Sequence, residues 1–346
     1  MNSKLHVGIV YTEISCDLIA KHDNSQEYVD MSISEYESGI DTIQLALEKS
    51  DYKISKFGIK KDLHELIDYI TTNKPDVIFN LCESFDNNSI NEMHIAGIFE
   101  LLRIPYTGNK AWTLGTLVRK PKVKSILKRT GFTTPNFQIV YDYSNFEPDH
   151  NLNFPLIVKP SREDASTGIN NLSVVNNVEE LKKQIKFVYD LVKQPVLLEE
   201  YIEGREINIA ILGNREPTTL PISEIDFTLL PDNLPKIVTY NAKWLTDSVE
   251  YKGTNAVCPA NITKKIEGDL KDIALNVYSL FDCSGYARVD FRLDSNNIPY
   301  ILEVNPNPDI SEDAGFYRAA KAYGYSYSGM LKKIVELGLE NYDIYE

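Results

Sequence analysis

Cysteine is scarce in this 346-residue chain: Cys16, Cys82, Cys258 and Cys283 lie far apart, with no C-x-x-C pair. That spacing indicates neither a zinc site nor a disulfide framework. Positive charge is also in short supply. The 36 Lys and Arg against 50 Asp and Glu leave a net charge of −14. Such a balance disfavours binding to nucleic acid, where affinity is mainly electrostatic, although basic residues can still gather around one nucleotide. No apolar run approaches the length of a membrane span. The N-terminal run from Leu5 to Val10 is short and contains His6, so it reads as a buried strand rather than a signal peptide. Repeats, low-complexity tracts and long linkers are missing too. The expectation is a cytoplasmic protein without membrane or nucleic-acid partners. Its length suggests two or three closely packed domains.

What is present begins with alternating strands and helices. A strand at His6–Tyr11 is followed by a helix near Ser34–Lys49, with a Ser34/Glu37 capping box and Ile40, Ile43 and Leu47 on one stripe. A second helix carries Leu63, Leu66, Ile67 and Ile70 and stops at Pro75. Val77–Leu81 is an apolar run suited to a buried parallel strand. A Ser89/Glu92 capping box opens another helix. This alternation predicts an open, doubly wound parallel sheet over residues 1–119, with ligand loops at Tyr11–Ser15 and Cys82–Asn88. Residues 120–203 read as a small α+β unit with strands at Phe137–Val140, Phe154–Lys159, Asn171–Val175 and Val196–Glu200 and a helix at Val178–Val192. Residues 204–346 read as a third unit. Its strands lie near Ile207–Leu212, Leu220–Ile225 and Val238–Lys243, its helices at Lys264–Leu280, Phe316–Tyr323 and Gly329–Leu337, and it contains a hairpin.

That hairpin is the most informative feature. Tyr286–Asp294 and Ile298–Asn305 read as strands flanking the turn residues Ser295–Asn297. Pairing about that turn, with partner numbers summing to 593, sets Asp290 opposite Glu303 and Arg288 opposite Asn305. Period-two alternation then puts all four side chains on one face. Two carboxylates about 4 Å apart repel by up to roughly 4 kcal/mol at an effective dielectric near 20, and a divalent cation reverses that sign. Two carboxylates and an amide oxygen, without His or Cys, suit a hard ion such as Mg²⁺ that also binds substrate phosphates. A solvated polar face is the alternative.

Two further segments carry chemistry. From Pro155 to Gly168 an apolar strand delivers Lys159 and then a small-residue polar loop able to turn N–H groups and hydroxyls toward phosphates; an ordinary surface hairpin is the alternative. From Val196 to Asn208 a strand leads into an acidic turn whose backbone could read an adenine edge, with Glu206 accepting from ribose hydroxyls. A plain solvated turn would look the same.

In order and spacing these pieces resemble the ATP-grasp superfamily, in its D-alanine–D-alanine ligase-like branch, over nearly the whole chain. The matching stretches are Ile104–Gly108, Lys120 and Lys124, Ile157–Arg162, Leu198–Ile202, Asn241–Lys243, Cys258–Ala260, Arg288–Asp290 and Leu302–Pro306. The resemblance implies a three-domain architecture, an N-terminal pre-ATP-grasp domain over 1–119 and ATP-grasp subdomains over 120–203 and 204–346, with ATP between the central and C-terminal ones. It implies that Lys120, Lys159 and Ser166 meet the phosphates, that Glu199 meets the adenine amino group, and that the backbone near Tyr201 and Ile202 reads the adenine edge. Glu206 would hold the ribose and Lys243 would reach the phosphates. Asp290, Glu303 and Asn305 would hold two Mg²⁺ ions, with Mn²⁺ as an alternative, and Arg288 would stabilise the oxyanion. The reaction implied is amide formation between a small carboxylate and an amine through an acyl phosphate, releasing ADP and phosphate. Leu245–Val257 would form a lid. A homodimer is compatible with the resemblance.

The departures lie at substrate positions. Asp164-Ala165-Ser166 stands where the family's D-alanine ligases carry Gly-Ser-Ser. Ala165 and Trp244 replace a hydrogen-bonded serine and tyrosine, and Leu81-Cys82-Glu83 lacks the usual histidine. Ala314-Gly315 replaces a Ser-Leu pair that receives the acceptor carboxylate. The expectation is therefore a ligase that does not join two D-alanines. A D-alanine–D-alanine (or D-alanine–D-lactate) ligase and a non-catalytic ATP sensor are the alternatives. Asp309, near Ser311, would face an amine-rich acceptor or else cap the following helix. Glu83, Asp86 and Asn87 would recognise the donor or form a solvated loop.

Overall fold

The structure, a computed structural model, describes residues 4–13, 38–86, 88–144, 146–163, 166 and 168–343. Its first layer is parallel. Strand β1 (His6–Thr12) lies between β2 (Lys53–Ile59) and β3 (Val77–Leu81), and a parallel bridge from Ile78 to Tyr106 extends the edge. Helix α1 over 38–48 buries Ile40, Ile43 and Leu47 as its stripe predicts. The Ser34/Glu37 box lies outside the described residues. Helix α2 (Leu63–Asn73) ends on Lys74 in a left-handed conformation, one residue before Pro75. Helix α3 (Glu92–Leu101) follows a short turn that Asn88, rather than Ser89, caps by accepting from the Ile90 N–H. Helices α4 (Ala111–Leu117) and α5 (Lys120–Arg129) lead into the second layer.

That layer is an antiparallel sheet in the order β4 (Phe137–Val140), β7 (Val196–Glu200), β5 (Leu156–Pro160), β6 (Val174–Val175), backed by α6 (Val178–Val192). Only two residues of the strand expected at Asn171–Val175 form. The third layer contains β8 (Arg205–Leu212), β9 (Thr218–Thr219) and β10 (Ser223–Asp226). After the short helices α7 (Tyr240–Trp244) and α8 (Val249–Gly253) come β11 (Asn255–Val257), α9 (Lys264–Leu280), β12 (Tyr286–Leu293) and β13 (Pro299–Pro306). Its main path runs β11-β10-β8-β12-β13, with β9 paired to β8. Helices α10 (Gly315–Tyr323) and α11 (Tyr327–Asp343) close the chain.

The strand expected at Val238–Lys243 is instead the helix α7. Thr239 turns it, its side chain accepting from the Ala242 N–H, and a cap of this kind outweighs weak strand propensity. Packing crosses the layers. Val7, Ile9, Leu47 and Phe79 share a core with Phe316, Met330 and Ile334 of the last helices. Val123 and Leu127 of α5 pack with the third sheet. Among the described residues, no helix is long and apolar enough to cross a membrane.

Candidate active site

The register of β12 and β13 decides the geometry. Arg288 pairs with Asn305 and Asp290 with Glu303, as expected, but Phe291 pairs with Ile301. One residue, Leu302, is therefore extra: a bulge adjoins the site, and the pairing sum falls to 592 beyond it. The four polar side chains share one face. Arg288 forks onto Asp290, with Nε and Nη2 each 2.8 Å from a carboxylate oxygen. The Asn208 amide on β8 donates to Asp290 at 2.7 Å. Asn305 Nδ2 lies 2.8 Å from Asp290 Oδ2 and 3.2 Å from Glu303 Oε1.

This arrangement accommodates a hard cation. The Asn305 amide already bridges one oxygen of each carboxylate, and a half-turn of that amide would present Oδ1 to a cation. Among the described residues, no three His, Cys, Asp or Glu side chains group as a metal site. Two carboxylates and an amide could hold such an ion with room for the waters and phosphates that magnesium retains.

Four cations converge on the same face. Burial opposes ionisation of Glu303, yet Lys120, Lys159, Arg288 and Lys243 together pull its pKa down to about 2. Lys120 Nζ is 3.7 Å from Glu303 Oε2. Lys243 sits on α7 with its side chain still reached by solvent. Loss of water within the cleft and the nearby Arg288 charge lower its pKa.

Glu199 is almost fully buried between two lysines, its oxygens 2.9 Å from Lys124 Nζ and 3.0 Å from Lys159 Nζ. Burial resists its charge, but Lys124 and Lys159 outweigh that and keep its pKa low. The same burial lowers Lys124 to about 8. The Tyr201 N–H is held by the Pro155 carbonyl at 2.9 Å, and Ile202 follows it out of β7. Burial raises the Glu206 pKa, partly offset by Arg292, whose Nη2 is 3.3 Å away. Arg292 is itself buried between the rings of Tyr201 and Phe227, 5.6 and 5.5 Å from their centroids.

Ser166 adopts a left-handed backbone and donates to the Val238 carbonyl at 2.8 Å, tying the loop after β5 to the approach to α7. Asp164 and Ala165 lie outside the described residues. The Leu245–Val257 segment contains α8 and ends in β11, which pairs with β10. Its Glu250 accepts from Asn171 across the cleft at 2.7 Å.

The residues expected on the substrate side have other partners in the structure. The Glu83 and Ser84 N–H groups donate to the Thr12 hydroxyl at 3.1 and 3.2 Å, fastening that loop to the end of β1. Burial first, and then the Glu92 and Glu83 charges, push the Cys82 thiol up. Asp86 lies 3.8 Å from Lys61, and Asn87 is outside the described residues. Asp309 is exposed and accepts from the Ser311 N–H and hydroxyl at 2.8 and 2.5 Å. It does not cap the next helix, whose N-cap is Ala314, followed by Gly315. That corrects the capping alternative. Sequence reasoning assigned no role to Asn208 or Arg292. Arg292 was within reach, since it falls two residues after Asp290 on the same strand face.

Residues 126–336 match the family model described as "D-ala D-ala ligase C-terminus". The chain is 32% identical to a D-alanine–D-alanine ligase of Carboxydothermus hydrogenoformans, covering 87% of this chain and 92% of that protein. It is 34% identical to the protein y4sG of Sinorhizobium fredii, over 77% of this chain and 75% of that one. In fold it resembles the ATP-complexed D-alanine–D-alanine ligase of Bacillus anthracis, with TM-score 0.73 at 23% identity over 99% of this chain and all of that one. It also resembles the VanG D-Ala:D-Ser ligase of Enterococcus faecalis, with TM-score 0.71 at 19% identity over 97% of this chain and all of that one.

Proposed function

The chain belongs to the D-alanine–D-alanine ligase family of the ATP-grasp superfamily, and on that premise we propose that it joins a carboxylate to an amine using ATP, through an acyl phosphate, with release of ADP and phosphate. The observation that carries this reading is the convergence of Lys120, Lys159, Lys243 and Arg288 on Glu303, beside Asp290. Phosphate oxygens entering such a face meet cations already gathered there, of which Lys159 has only to turn from Glu199, and charge placed in advance is what makes electrostatic stabilisation large. Lys120, Lys159 and Lys243 hold the phosphates, with Ser166 in the loop beside them. Tyr201 and Ile202 flank the base, and Glu206, fixed by Arg292, receives the ribose. Asp290, Glu303 and Asn305 supply an oxygen-only donor set for magnesium, which when bound screens phosphate charge and polarises the group transferred. Arg288 lies beside these ligands and stabilises the oxyanion formed as the amine attacks.

Two D-alanines are the substrate pair favoured by the family description and by the name of the Carboxydothermus hydrogenoformans relative. A second reading, another donor or acceptor, is favoured by the buried Cys82 and by Ala314 and Gly315, which offer no side-chain oxygen at the helix entry. Release of ADP and phosphate, measured with D-alanine alone and then with a panel of carboxylates and amines, separates the two. Turnover with D-alanine alone, giving a dipeptide by mass spectrometry, establishes the first. Turnover only with another pair establishes the second. If no pair releases phosphate, the ligase proposal is wrong.

A further inference from the structure

Lys124 and Thr134 have no part in the reading above, yet both are buried polar residues, 1% and 6% exposed. Lys124 Nζ lies 2.9 Å from Glu199 Oε1 and donates to the Thr134 hydroxyl at 2.9 Å. That hydroxyl donates to the Ile301 carbonyl at 2.7 Å, and the Ile301 N–H donates to the Thr133 carbonyl at 2.9 Å. On the other side of Glu199, its second oxygen meets Lys159 Nζ at 3.0 Å. An unbroken polar chain therefore runs from Lys159 on β5, through Glu199 on β7 and Lys124 on α5, to β13. It arrives at the residue just before the bulge, two positions short of Glu303.

Burying an ammonium and a carboxylate is costly unless each is paired and hydrogen-bonded. Two lysines around one carboxylate carry a net positive charge behind the face that receives phosphates. If Glu199 had only Lys159, turning that lysine toward a phosphate would strand a buried carboxylate, and Lys159 would stay where it is. With Lys124 present, Glu199 keeps a partner while Lys159 turns outward. Thr134 then fixes Lys124 to the backbone of the strand that carries Glu303 and Asn305.

We propose that Lys124 and Thr134 are positioning residues that couple the nucleotide-binding lysine, Lys159, to the metal-binding hairpin, so that phosphate and cation binding reinforce each other. The inference rests on the proposed magnesium–nucleotide site. The test is calorimetric binding of a non-hydrolysable ATP analogue to the full chain, with and without magnesium. Thr134→Val is expected to cut the magnesium enhancement of analogue affinity about tenfold, and Thr134→Ser to restore it. Lys124→Met, which breaks the same chain at its centre, is expected to weaken the analogue about tenfold and to lose the magnesium enhancement as Thr134→Val does. A merely structural role would lower the melting temperature without changing the ratio of the two affinities or separating Ser from Val. Wild-type magnesium enhancement in either Thr134→Val or Lys124→Met would overturn the coupling and leave the nucleotide site standing. Absence of analogue binding by the wild-type chain in both conditions would overturn the site itself, and the coupling with it.

Discussion

Glu303 shows how the cleft's charges act at the scale of one side chain. Its folded pKa, near 2, lies below the ordinary carboxylate value of 4.5 because Lys120, Lys159, Arg288 and Lys243 outweigh its burial. A depressed carboxylate pKa gives stability that is complete above the unfolded value and lost as pH falls through the folded one. Glu303→Gln should therefore lower stability at pH 7 by on the order of 1–2 kcal/mol, discounted for the carboxylate's partial exposure. The gap should close as pH falls from 4.5 toward 2. Urea unfolding of both proteins across that range checks the sign, and a gap that widens in acid would refute the assignment. Arg292 makes the complementary case for shape over charge. It lies 3.3 Å from Glu206, donates to the Gly204 carbonyl at 2.8 Å and to the Lys236 carbonyl, and is flanked by two rings. Lysine keeps the charge but cannot fork or stack. Arg292→Lys is expected to cost about 2 kcal/mol in urea unfolding and to raise the Michaelis constant for ATP severalfold.

Among the elements, those whose signal is local were legible and those made by distant partners were not. Helices Val178–Val192 and Lys264–Leu280 match their apolar periodicity to the residue, because a stripe repeating every 3.6 residues is written within the segment itself. The hairpin pairing at Arg288 and Asp290 was readable from alternation and turn residues. The bulge at Leu302 was not, since a bulge preserves composition and alters only the count. Nothing local announced the partners of Glu199, which come from α5 and β5. Helix α7 is the instructive miss. Val238–Lys243 has strand-like composition, but Thr239 accepts from the Ala242 N–H at 3.1 Å and starts a turn of helix. Lys243 therefore takes part of its aim from this cap. Thr239→Ala should remove about 1 kcal/mol of local stability and lower kcat severalfold with little change in global melting, while Thr239→Ser restores both. Steady-state kinetics beside a thermal melt separates this from general destabilisation.

For the whole molecule, the question is how the parallel layer, which carries the Cys82–Ser84 loop, is held in place against the hairpin that carries the acids. The joint is Asn307, two residues beyond Asn305, in a left-handed conformation at φ 47° that asparagine tolerates. Its Oδ1 accepts from the Asn109 N–H and side-chain amide at 2.8 and 3.1 Å. Gly108 makes this approach possible: its φ is +90°, and a Cβ there would lie 2.3 Å from Asn307 Oδ1. Asn109 also donates to the Tyr286 carbonyl at the start of β12 and accepts from the Ser284 N–H, at 2.8 and 2.9 Å. One short segment thus grips both strands of the hairpin. Gly108→Ala combines a backbone penalty with a steric one, and is expected to cost about 2–4 kcal/mol. Asn307→Gly alone keeps the left-handed turn and loses only the hydrogen bonds, about 1–2 kcal/mol. Because one side chain causes the clash and makes those bonds, the two losses should not add. The double variant should be more stable than the sum of the singles predicts by about 1 kcal/mol, the residue of its deficit being the φ strain that Asn307→Gly cannot relieve. Urea unfolding of the four proteins measures that coupling, and strict additivity would mean the layers are held together elsewhere, by the shared core of β1, β3, α10 and α11.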